Sequence, residues 1–166
     1  MSLKDKLRGR ARPTLSHRLR IASTEETTAA EAAVATARRM LTIWEAQASP
    51  DEERIEQARQ ALAEAEAVRD ECYVTVTVQA LKPEDFEALY DVYPPSDSKD
   101  PKEKKEAEEA YLRALFLECV QGDMTREDWE DVLTEDVSAG ERNELYDLGA
   151  AVNGRSRIPN GQIPKG

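Results

Sequence analysis

The sequence predicts a mainly α protein with a minor β element: a helical hairpin inserted between two antiparallel strands, followed by a small C-terminal helical bundle. Three observations carry this. Leu15, His17, Leu19 and Ile21 alternate with Ser16, Arg18 and Arg20, and Val74, Val76 and Val78 alternate with Thr75, Thr77 and Gln79. A period of two places each apolar set on one face of a strand. Between them, residues 23–70 read as two stripe-bearing helices around one break, so the second strand returns antiparallel to the first. Beyond Pro83, further capped segments carry apolar residues at helical spacing.

Taken in order, residues 1–13 are polar and basic and are expected to form a flexible N-terminal arm, with Pro13 at the entry to the first strand. A β-α-α-β unit then spans 14–81, with strands near 14–22 and 73–80 and helices at about 23–48 and 51–70. Ser23-Thr24-Glu25-Glu26 is a capping box, in which hydroxyl and carboxylate satisfy each other's exposed backbone donors. Ala30, Val34, Ala37, Leu41, Trp44 and Ala48 step by four and three along one face. Ser49-Pro50-Asp51-Glu52 ends that helix and starts the next, and Pro50 suits a first helical position, where its missing N–H costs nothing. Ile55, Ala58, Leu62 and Ala65 supply the facing stripe, and so many small residues let two antiparallel helices approach closely.

The C-terminal helical region covers 82–154. Pro83 starts a short helix with Phe86, Leu89 and Tyr90, and Tyr93-Pro94-Pro95 stops it, because prolines lack a donor and bias the preceding residue away from helix. A charged linker runs into Asp100-Pro101-Lys102-Glu103, the start of a helix expected to reach Gln121 with Gly122 as its C-cap. Thr125 to Asp128 opens a helix bearing Trp129, Val132 and Leu133. Ser138 to Glu141 caps the last, which carries Leu145, Leu148 and Val152 and closes on Asn153-Gly154. The tail, 155–166, is rich in Gly and Pro and is expected to be disordered.

Charge narrows the function. The net charge of −11 is unevenly placed: residues 1–20 hold seven Lys and Arg against Asp5, whereas residues 83–147 hold 21 acids against seven bases. Such a body repels phosphate, so nucleic acid is disfavoured as a partner except through the basic arm. Cys72 and Cys119 are far apart and lack CxxC spacing, which reads as reduced, part-buried thiols. No 18-residue apolar run is present, so no membrane span is expected, and the basic N-terminus lacks the apolar stretch of a secretory signal. The expected compartment is the cytoplasm.

Chemistry is not legible. His17 stands on the apolar phase of a strand without a second His or Cys at ligand spacing, so no metal site is expected. No phosphate loop, dinucleotide fingerprint, HExxH or nucleophile motif occurs. Glu127, Asp128, Glu130 and Asp131 flank Trp129 in a first helical turn, where carboxylates favour the positive end of the helix dipole. No catalytic residue and no cofactor is therefore expected.

Two opening motifs, RPTLSHRLRI and YVTVTVQALKPEDFEALYDVYPP, are followed by ALFLECV, DMTREDWEDVL and SAGERNELYDLGAAVN. In this order the chain resembles the small tail assembly chaperones of long-tailed phages, especially those infecting actinobacteria. The likeness covers most of residues 13–160. Phe86, Leu89, Pro94 and Pro95 occupy the aromatic-x-x-Leu step and Pro-Pro stop. Trp129, Ser138, Gly140, Leu145, Leu148 and Val152-Asn153 fit the later pattern. Tyr93 departs from the family's usual His-Pro-Pro, and the charged run 97–109 is unusually dense. The resemblance implies a non-enzymatic role in the host cytoplasm: binding the aggregation-prone tape measure protein before the tail tube polymerises around it, with the tail tube protein as a further partner.

Trp44, near the tip of a thin two-helix arm, is difficult to bury and is a candidate partner contact. Trp129, Leu133, Leu145 and Tyr146 are the other candidates, although stripes at helical spacing also build cores. The alternative function is a coiled-coil adaptor, possible through self-association of the hairpin, or a nucleic-acid-associated protein that uses its basic arm.

Overall fold

The computed structural model describes residues 1–154; the tail 155–166, expected to be disordered, lies outside the described residues. The chain runs α1 (Leu3–Arg8), β1 (Thr14–Arg20), α2 (Thr24–Glu45), α3 (Glu52–Glu71), β2 (Tyr73–Gln79), α4 (Pro83–Val92), α5 (Pro101–Cys119), α6 (Arg126–Asp131), a π turn (Val132–Asp136) and α7 (Ala139–Gly154). β1 and β2 pair antiparallel. The protein is thus mainly α, with the helical hairpin set between two strands and a helical region after them. Two compact units emerge: Arg18–Thr75, and Met1–His17 together with Val76–Gly166. Both strands are divided between the units. Leu19 and Cys72 are buried in the first, Val76, Val78 and Ala80 in the second.

In the hairpin unit, Ser23 and Glu26 close the capping box on α2: the Ser23 hydroxyl accepts from the Glu26 N–H at 3.2 Å, and the Glu26 carboxylate accepts from the Ser23 N–H at 2.9 Å. Those two bonds depress the Glu26 pKa, the side-chain bond from Ser23 most. The seam between α2 and α3 buries Ala30, Val34, Ile55 and Ala58, with Leu41, Trp44 and Leu62 half-buried further out. Surface pairs flank it, Arg38 with Glu66 at 3.1 Å and Arg59 with Glu45 at 3.2 Å. Exposed pairs of this kind contribute about 0–1 kcal/mol each. The helices differ from expectation at their junction. α2 stops at Glu45, short of Ala48, and Asp51 rather than a residue before Pro50 caps α3, its carboxylate accepting from the Arg54 N–H at 3.2 Å. Pro50 lies outside the helix, where it holds Ser49 away from helical backbone.

The second unit owes its core to α5 and α7. Phe116, Leu115, Cys119, Leu133 and Leu145 are fully enclosed. The Phe116 and Trp129 rings meet edge to face at 5.3 Å. Gly149 permits the close helix approach: a Cβ there would come within 3.1 Å of the Phe116 Cα. Asn153 ties the end of α7 down by donating to the Gly149 carbonyl and the Cys119 sulfur, while accepting from the Leu81 N–H at 2.7 Å. Burial pushes the Cys119 thiol up, keeping it protonated, with the Asn153 hydrogen bond acting in the opposite direction.

Two expectations are corrected here. α5 ends at Cys119, not Gln121, because Val120 turns extended and bridges Val78 while the Gln121 N–H donates to the Thr77 carbonyl at 2.8 Å. Gly122 is therefore not the cap; it takes a left-handed φ of 133° in the turn that follows. The N-terminal arm also contains structure. Ser2 and Asp5 form a complete capping box, which closes the single helical segment Leu3–Arg8.

Candidate interaction surface

α4 is the anomaly of the second unit. Pro83 occupies its first turn, Glu84 and Asp85 suit the positive end of the dipole, and the chain leaves helical backbone at Tyr93 before Pro94-Pro95. The helix carries Phe86, Leu89, Tyr90 and Val92, yet none of its residues is buried. Phe86 and Leu89 are half-covered, Tyr90 is 47% exposed and Val92 69%. Val92 lies six residues beyond Phe86, hence on a different side of a helix with 3.6 residues per turn. One neighbouring helix cannot cover both sides.

Recesses flank this helix. Between α4 and α5, Tyr90, Tyr93, Pro95, Ala107 and Tyr111 line a cleft of about 320 Å³. Tyr90 and Tyr111 meet edge to face at 5.8 Å, and burial raises the Tyr111 phenol, with Tyr90 a smaller contributor. On another side, Leu81, Ala88, Leu89 and Val92 line a groove of about 430 Å³ with Asp85 and Arg12 at its edge. The rim is acidic, and Asp85, Glu87 and Asp91 form no ion pair among the described residues. A broader recess of about 580 Å³ near Glu106, Glu109 and Glu130 is polar instead. Its charges are engaged: Arg126 holds Glu118 at 2.6 Å and Glu130 at 3.5 Å, and Arg142 holds Glu109 at 3.6 Å.

The residues expected to meet a partner fare differently. Trp129, Leu133, Leu145 and Tyr146 are all buried in the α5–α7 core, so this conformation offers none of them to a partner. Their stripes face each other rather than solvent. Trp44 is half-buried in the hairpin unit, with the Arg54 guanidinium stacked 4.7 Å over its ring and Met40 and Ile43 exposed nearby in sequence. The α4 residues were not singled out by sequence reasoning. The usable signal was a ten-residue helix with apolar groups on more than one side, closed by two prolines.

His17 is held by Glu144, Nε2 to Oε2 at 3.1 Å, within the second unit. Among the described residues no group of three or more His, Cys, Asp or Glu side chains is placed to hold a metal ion. Among them, too, no helix is long and apolar enough to cross a membrane. Of the basic arm, Arg12 donates to the Ala80 carbonyl and to Gln79, both at 3.0 Å, and Arg18 to Asp70 at 3.1 Å. Compared with known protein families, curated proteins and solved structures, the chain matches none.

Proposed function

We propose that the protein is a non-enzymatic tail assembly chaperone, which holds the tape measure protein soluble in the host cytoplasm while the tail tube is built. The observation that carries the reading is α4: four large apolar side chains, none buried, on a helix bordered by apolar recesses. An uncovered apolar helix beside a groove suits an amphipathic client helix, which would bury its own stripe there. The surrounding acids keep the loaded protein dispersed. The motif order in the sequence supports the same reading, and no constellation suited to catalysis competes with it.

Co-expression with the cognate tape measure protein tests this. Wild type is expected to keep that client in the soluble fraction. Val92→Asp, at a position too exposed to disturb the fold, should weaken binding about tenfold or more, the equivalent of roughly 1.4 kcal/mol of lost apolar contact. Circular dichroism and melting should not change. A wild type that leaves the client insoluble contradicts the function. A Val92→Asp variant that rescues fully contradicts the surface.

A further inference from the structure

The same chain contains an element complementary to α4, and it is α1. This helix spans only Leu3–Arg8, a length at which an isolated helix is marginal in water. Its Ser2–Asp5 capping box nevertheless closes it, the two side chains bonding at 2.7 Å and each accepting from the other's backbone N–H. The box also depresses the Asp5 carboxyl, chiefly through the Ser2 side chain, so its charge persists into acid. Leu3 and Leu7 stand one turn apart on one face, 73% and 58% exposed. Lys4, Lys6, Arg8 and Arg10 form no ion pair among the described residues. α1 is thus a small basic helix with an uncovered apolar face, and α4 an acidic helix with uncovered apolar faces.

We infer that α1 of one copy docks on α4 of a second copy, its leucines against Leu89 and Val92 and its cations against Asp85, Glu87 and Asp91. Within one chain neither surface covers the other, since Leu3, Leu7 and Val92 all stay exposed. Arg12 supports exchange. It is pinned to Ala80 and Gln79 and lines the groove beside Leu89 and Val92, so each arm departs from the edge of its own groove. From Arg12 back to Arg8 an extended chain spans about 13 Å at about 3.3 Å per residue, enough to cross to an adjacent copy. Reciprocal exchange closes on a two-fold dimer, in which every arm and every groove is used. The contact is small and partly electrostatic, so it weakens with salt. This inference concerns self-association and does not depend on the client assignment.

Sedimentation velocity of the full chain tests it, read against a monomer mass of 18.6 kDa. At low salt and rising concentration, wild type should approach twice that mass and return toward it as salt is added. Leu3→Asp with Leu7→Asp should abolish the dimer, and Val92→Asp should do so independently. The sharper arm uses charge. Lys4→Glu, Lys6→Glu and Arg8→Glu in one variant, and Glu87→Lys and Asp91→Lys in another, should each give monomers. An equal mixture should restore the dimer, because each arm then faces a groove of opposite sign. A wild type that stays monomeric at every concentration overturns the inference, as does a dimer unaffected by the Leu3/Leu7 variant. If the wild type is monomeric and residues 1–10 instead bind a labelled DNA duplex with a steep salt slope, the arm serves phosphate and the inference fails. Client rescue is a separate readout, so the dimer can fail while the chaperone reading stands, or the reverse.

Discussion

The hairpin unit and the α5–α7 unit solve the same problem of burial with different materials. The hairpin closes on Ala30, Val34, Ile55 and Ala58, small or medium side chains along one seam, and adds ion pairs on its flanks. The other unit encloses Phe116, Leu115, Leu133, Leu145 and Trp129 within helices close enough to require Gly149. A thin seam loses little when one contact is removed, because neighbouring groups can settle inward. A thick core cannot settle without leaving a cavity. The contrast also locates the surface meant for partners: the thick core is complete without α4, which leaves that helix uncovered.

The largest expected effect follows from that contrast. Phe116→Ala should destabilise by about 3–5 kcal/mol in urea denaturation, whereas Ile55→Ala in the hairpin should cost about 2 kcal/mol, the low end for such a truncation. Equal losses would break the distinction between the two units. Next is Gly149→Ala. The added methyl meets the Phe116 backbone at 3.1 Å, so the helices must separate, and a loss of about 1–3 kcal/mol is expected despite the higher helix propensity of Ala. A neutral result would mean that α5 and α7 are free to shift.

Acid sensitivity is a smaller effect, and its sign is fixed by the caps. Hydrogen bonds from Ser23 depress the Glu26 carboxyl below its ordinary 4.5, and those from Thr125 depress Asp128 below 3.8. Each folded value lies below the unfolded one. The stabilisation is therefore complete above the ordinary values and is lost as pH falls through the depressed ones. Melting temperature should begin to drop below about pH 4.5, and Glu26→Gln should flatten the upper part of that decline. The smallest effect belongs to the hairpin surface. Arg59→Ala, which removes exposed contacts with Glu45 and Glu56, should change stability by about 0.5 kcal/mol or less.

Local chemistry was readable in the sequence and tertiary partnership was not. Ser23 with Glu26, Thr125 with Asp128 and Ser138 with Glu141 each marked a helix start because a capping box is complete within four residues. The period-two segments located both strands for a similar reason. α5 stopped early because Val120 is recruited by Val78, a residue far away in sequence. Trp129, Leu133, Leu145 and Tyr146 were offered as contacts because a stripe shows that a face is apolar and not what covers it. The π turn at Val132–Asp136 has no sequence signal that we recognise. Exposure of α4 was hidden for the opposite reason: Phe86 and Leu89 look like ordinary core spacing, and only the finished packing leaves them half-covered.

Amide hydrogen exchange, with and without the tape measure protein, tests the central claim most directly, because it sets α4 against the hairpin tip in one experiment. Residues 83–93 are expected to gain protection when the client is added, with residues 40–45 around Trp44 changing little. Protection confined to the hairpin tip, with α4 exchanging as in the free protein, would contradict the account.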